Sequence, residues 1–126
     1  MLRPMLRFRH AVESGDPAAI QASLAEDVVF DSPIAFRPYR GRAEVGRVLA
    51  AVSRVFADFR YRDALSGERS SALVFLARVG DKEIEGVDLL EVDGEGLVTK
   101  LTVFVRPLSA TLALAEAMRA ALAAPR

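Results

Sequence analysis

Apolar positions recur at helical spacing through the first half of the chain and alternate through most of the second. Met5, Phe8 and Val12 form a stripe three and four residues apart that stops at Ser14-Gly15. Asp16-Pro17 restarts a helix, with an aspartate suited to the cap and a proline suited to the first turn. Ile20, Leu24 and neighbouring alanines supply its buried side. Val28-Val29-Phe30 is β-branched and short, which predicts a strand running into Asp31-Ser32-Pro33. Pro33 just before it, with Pro38 and Gly41 inside it, makes Ile34–Gly41 a loop. Arg42–Phe56 is the clearest helix, because Val45, Val48, Leu49, Val52 and Phe56 fall on one face.

Beyond residue 56 the period changes. Phe59 and Tyr61 alternate with Arg60 and Arg62. Ser71–Val79 is an apolar strand ending at Gly80-Asp81, Glu83–Val92 pairs back from it, and Asp93-Gly94-Glu95-Gly96 makes the next turn. Leu97–Arg106 is the last strand before Pro107, and residues 109–123 read as a tail helix whose apolar side carries Leu112, Leu114 and Leu122. Helices first and a meander last predict an α+β domain spanning 1–126, with helices on one face of a curved antiparallel sheet.

Composition narrows the chemistry. The chain has 126 residues, 52% hydrophobic and 27% charged, enough for one packed domain. Seventeen basic residues balance 17 acidic ones, so no global field favours nucleic acid or an anionic membrane. Without cysteine, and with His10 as the single histidine, thiol catalysis and multi-histidine metal sites are excluded. No cofactor or metal is expected. No apolar run reaches the length of a membrane span, and the N-terminus lacks a signal-peptide core, so a cytoplasmic location is expected. Gly94-Glu95-Gly96 lies in a hairpin and precedes no helix, so it is not a phosphate cradle.

Ser14-Gly15-Asp16, the run Glu26-Asp27-Val28-Val29-Phe30-Asp31-Ser32-Pro33, then Pro38 and Gly41, and Val87 to Val98 with the final strand, resemble the nuclear transport factor 2-like superfamily, whose members include SnoaL-like and ketosteroid-isomerase-like domains. The pattern extends from about residue 5 to 106. The resemblance implies a cone-shaped, cystatin-like sheet around an apolar pocket, and pairing of two copies through the sheet's outer face. The tail helix lies beyond the shorter isomerase pattern. Members include isomerases, cyclases, hydrolases and noncatalytic binders, so fold alone does not choose among them.

Position by position, the resemblance is incomplete. Where ketosteroid isomerases carry the proton-shuttling aspartate this chain has Ser32. Asp31 stands one residue earlier, and a one-residue step on a strand turns a side chain to the opposite face. The oxyanion tyrosine is replaced by Phe8, which offers no hydroxyl. Asp88 occupies the place of the oxyanion aspartate, amid Val87, Leu89 and Leu90, where desolvation favours its neutral, hydrogen-bond-donating form. A neutral aspartate donor in ketosteroid isomerase is the established precedent. The epoxide-hydrolase set would need an arginine where Gly86 stands and an acid on the last strand, and neither is present. His10 falls about 200° from Phe8 around the helix and faces away from the pocket.

The candidate catalytic set is therefore Asp88, Ser32 and Asp31. The candidate ligand contacts are Phe8, Phe30, Phe36, Tyr39, Phe56, Phe59, Tyr61, Leu101, Val103 and Val105. Tyr39 and Tyr61 add polar tips that can orient a ligand. On the last strand, Phe104 shares the opposite face with Thr102 and Arg106, a candidate subunit interface. These residues predict a binder of a small hydrophobic molecule anchored by Asp88, with isomerase, cyclase or dehydratase chemistry on a carbonyl or hydroxyl compound as the enzymatic form. The alternative is a noncatalytic dimeric domain whose cavity is filled.

Overall fold

The computed structural model describes residues 3–123. The elements are α1 (Arg3–Ser14), α2 (Pro17–Ala22), β1 (Leu24–Asp31), β2 (Tyr39–Arg40), α3 (Arg42–Val55), β3 (Ala57–Ser66), β4 (Ser71–Val79), β5 (Lys82–Val92), β6 (Val98–Arg106) and α4 (Leu108–Ala123). Local chemistry sets their ends. The Asp16 carboxylate accepts a hydrogen bond from the Ala18 amide at 3.0 Å, capping α2, and Pro17 opens its first turn. Gly15 takes the left-handed φ of 70° that turns α1 into it.

Six strands form one sheet in the order β2-β1-β6-β5-β4-β3. The β3 to β6 meander is antiparallel, as the alternation predicts, but β1 joins β6 in parallel. That pairing needs a long connection, which α3 and the meander supply. The Ile34–Gly41 loop also contains β2, whose Tyr39 pairs with Phe30 of β1. Two residues between Pro38 and Gly41 carry no readable alternation.

Pleat parity divides the sheet. Leu73, Phe75, Ala77 and Val79 of β4 and Ile84, Gly86, Asp88 and Leu90 of β5 are buried on the concave side. Gly86 is required there: a Cβ would meet the Phe75 ring at 2.2 Å and the Phe104 carbonyl oxygen at 2.8 Å. The helices fill the concavity, with Met5 and Phe8 of α1 and Val45, Val48 and Ala51 of α3 joining one core. In α4 the buried face is Ala110, Leu114 and Met118, spaced four apart, whereas Leu112 is 61% exposed. Leu112 lies about 200° from Leu114 around the helix, so the two cannot share the buried side. No helix among the described residues is long and apolar enough to cross a membrane.

Candidate functional site

A cavity of about 270 Å³ lies between the concave sheet and the helices. Each element contributes through its periodicity. Phe8 and Val12 come from α1, Val48, Leu49, Val52 and Ser53 from α3, and Leu101 and Val103 from β6. Leu114 and Met118 of α4 add to the wall. A turn from β1 adds Ser32, Pro33 and Ile34. Phe56, Phe59 and Phe75 pack together with ring centroids 5.1, 5.6 and 5.9 Å apart, and Phe30 stacks on Tyr39 at 5.9 Å.

Asp88 is the buried carboxyl of this lining, with 8% of its surface exposed. β5 alternation aims it inward between Gly86 and Leu90, opposite Leu73 of β4 and Val103 of β6. Its one hydrogen-bond partner among the described residues is Tyr61, whose hydroxyl donates to Oδ2 at 2.8 Å. Burial pushes the Asp88 pKa from 3.8 up to about 7, and the Tyr61 hydrogen bond pulls back against that rise. Tyr61 is itself held well above 10.0, first by burial and then by the Asp88 charge. The Arg9 guanidinium sits 5.5 Å from the Tyr61 ring centroid and pairs with Glu13 at 3.3 Å. Near neutral pH, Asp88 can therefore donate or take a proton inside an apolar chamber.

The remaining candidates separate by geometry. Phe8, Phe30, Tyr39, Phe56, Phe59, Leu101 and Val103 line the cavity, as does Ser32. The Ser32 hydroxyl accepts a hydrogen bond from the Ile34 amide at 3.1 Å, so it shapes the turn as well as the wall. Tyr61 stands behind Asp88, and Val105 packs on the core further along β6. Two candidates fall elsewhere. Asp31 turns to the outer side, where it pairs with Lys100 at 3.3 Å and with Thr102, because it is one pleat out of phase with the inward Phe30. Phe36 is fully exposed on the loop, since the turn at Ser32–Ile34 sends the chain outward before β2 brings Tyr39 back.

Sequence reasoning missed the Tyr61–Asp88 pair, Phe75 and which residues of α4 reach the wall, Leu114 and Met118. The pairing joins positions 27 apart across β3, β4 and β5, and a bulge between Tyr61 and Asp63 shifts the register. Inward parity at Leu73 and Phe75 was the signal that could have placed Phe75. His10 is exposed, and Glu85 faces outward, bonded to Arg62 and Arg106 at 3.1 and 3.3 Å. Among the described residues no group of three or more His, Cys, Asp or Glu side chains is arranged to hold a metal ion.

A curved sheet wrapped on helices is the architecture of the nuclear transport factor 2-like class of α+β proteins. A model of the SnoaL-like domain matches residues 5–101, and the chain belongs to that family. It is similar to the steroid Δ-isomerase of Nocardioides simplex, with 28% identity over 105 residues, 80% of this chain and 85% of that protein. Among solved structures, a steroid Δ-isomerase from Pseudomonas aeruginosa is 36% identical, with a TM-score of 0.89, covering 96% of this chain and 90% of that one. A bacterial protein with a cystatin-like fold from Silicibacter pomeroyi is 38% identical, also at 0.89, covering 95% and 85%.

Proposed function

We propose that the protein binds a small apolar molecule bearing a carbonyl or hydroxyl oxygen, and that neutral Asp88 donates a hydrogen bond or proton to that oxygen. The observation that carries this reading is a carboxyl buried in an aromatic chamber with a tyrosine hydroxyl as its partner. A buried acid that titrates near neutrality is suited to polarising a carbonyl while remaining able to release its proton. The similarity to two steroid Δ-isomerases supports an isomerase-type reaction on such a compound. The chamber stands near the small end of ligand cavities, roughly 300–1,000 Å³, which favours a compact substrate.

Efficient isomerisation needs a base opposite the acid. Among the described residues Ser32 has no activating partner, its hydroxyl only accepting from the Ile34 amide, and Phe8 adds no hydroxyl. The native protein is therefore a binder with slow acid-assisted turnover. An open cavity of about 270 Å³ argues against the filled-cavity alternative. Two copies pair through the outer face of the sheet, around Phe104.

The test is thermal unfolding of wild type and Asp88→Asn with a panel of cyclic ketones, terpenoids, steroids and fatty acids. A ligand at about 100 times its dissociation constant adds roughly 2.7 kcal/mol. Wild type gains several degrees with oxygen-bearing cyclic compounds, and its isosteric variant binds neutral ketones through the Asn amide. Absence of any shift across the panel overturns the binding reading.

A further inference from the structure

We propose that the same cavity also takes a lipophilic ammonium cation, a small protonated tertiary amine, with the Asp88 carboxylate as counter-ion and the aromatic rings as the surrounding cage. The proposal rests on the cavity being a ligand site, and it adds a ligand chemistry opposite in charge to the neutral carbonyl compound.

The charge inventory points this way. The charged residues of the lining are Glu13 and Asp88, and the lining contains no Lys, Arg or His. The groups facing Asp88 can be named element by element. From α1 come Glu13 and Arg9, already paired with each other, and from β3 comes the neutral Tyr61 hydroxyl. α3 presents Val48, Leu49 and Val52, α4 presents Leu114 and Met118, and the flanking strands present Leu73 and Val103. An ionised Asp88 thus has no cation within the protein among the described residues. Such a buried charge is costly until a partner arrives, and a ligand cation is that partner.

The walls suit the cation's other side. Phe8, Phe30, Tyr39, Phe56, Phe59 and Phe75 line the chamber, and aromatic faces attract a desolvated ammonium. A primary ammonium carries three donors and needs three acceptors. A tertiary one has a single N–H, which one Asp88 oxygen satisfies while Tyr61 holds the other.

The two ligand classes demand opposite protonation states of Asp88. A ketone needs the carboxyl protonated, and an amine needs it ionised. With a group titrating near pH 7, apparent affinity follows the competent fraction and changes about tenfold between pH 6 and 8. An aliphatic amine titrates near 10, so it stays charged over that range.

Calorimetric titration with N,N-dimethylcyclohexylamine and with cyclohexyl methyl ketone at pH 6 and 8 tests this. In wild type the amine binds about tenfold tighter at pH 8 than at pH 6, and the ketone about tenfold weaker. Asp88→Asn removes the counter-ion, so it loses the amine by about 10- to 100-fold and removes both pH dependences. Far-ultraviolet circular dichroism shows whether the variant is folded, and the wild-type pH profiles stand without it. Ketone binding with no amine binding, or amine affinity unchanged by pH or by the substitution, overturns the amine proposal alone. Failure of both ligands in wild type overturns the site reading itself.

Discussion

Asp88 destabilises the protein in its ionised form. Its folded pKa lies at about 7 against 3.8 for the free carboxyl. The folded state therefore holds the proton where the unfolded chain has released it, so this contribution is complete below about pH 4 and lost as pH rises toward 7. The difference is worth roughly 4 kcal/mol. Urea unfolding of wild type and Asp88→Asn across pH 5 to 8 checks it. The wild-type curve has an added decline with rising pH that the variant lacks, and the variant is the more stable at pH 8. A parallel pair of curves contradicts the assignment. Tyr61→Phe removes the donor that stabilises the carboxylate, so the Asp88 midpoint moves above 7 in the same measurement. Ser32 lines the cavity, so Ser32→Asp adds a carboxylate there. Conversion of a β,γ-unsaturated ketone to its conjugated isomer, followed by ultraviolet absorbance, then rises by about 10²-fold or more over wild type. At this scale period-two parity made the inward Asp88 legible and put Asp31 on the face opposite Ser32, although Asp31 still stood among the catalytic candidates. Parity could not reveal that Tyr61 would meet Asp88, since that depends on a bulge with no residue signature. Phe36 shows the converse limit: an apolar type in a proline-rich loop says nothing about which way the loop turns.

Among the elements, β5 is the most constrained, because it presents both the acid and the glycine against which Phe75 lies. The Phe75 ring closes the aromatic cluster only if position 86 has no side chain. Gly86→Ala forces the ring or the strand to move at a cost of about 1–3 kcal/mol. For a domain of this size the unfolding midpoint drops by roughly 4–12 °C. Adding Phe75→Leu recovers part of that loss, whereas a double variant no better than additive would remove the ring contact as the cause. Seen as a sequence, Gly86 reads only as a missing arginine. Its packing role needs the cross-strand partner, which register supplies and composition does not. Element ends were legible wherever a turn residue marked them: β4 runs over Ser71–Val79 as the alternation and Gly80-Asp81 require. The tail helix was legible as a helix, but not which of its residues reach the cavity. Its alanine-rich sequence leaves several faces apolar, and the choice of the Ala110–Leu114–Met118 face follows from what the cone offers it.

The whole molecule has a second apolar surface, on the convex side of the sheet. Register lines up Val74, Val87 and Phe104 across β4, β5 and β6, with Ala72, Leu89 and Thr102 in the adjacent row. Phe104 is 57% exposed at the centre of this face, and Leu65 is exposed toward the β3 side. Around them Arg62, Glu85 and Arg106 form a charged cluster. An apolar centre within a polar rim is the anatomy of a subunit interface, and a two-fold axis would set this patch on its own copy. Sedimentation velocity at micromolar concentration resolves the matter. Wild type runs as a dimer, and Phe104→Glu, which buries two like charges near the axis, runs as a monomer with unchanged far-ultraviolet circular dichroism. A monomeric wild type sinks the interface. The consequence reaches the cavity through β5, since Val87 and Leu89 face outward while Asp88, between them, faces in. In the proposed dimer, pairing of the two sheets would stiffen the strand that aims the acid. The monomeric variant therefore keeps its fold and binds the cavity ligand more weakly than wild type.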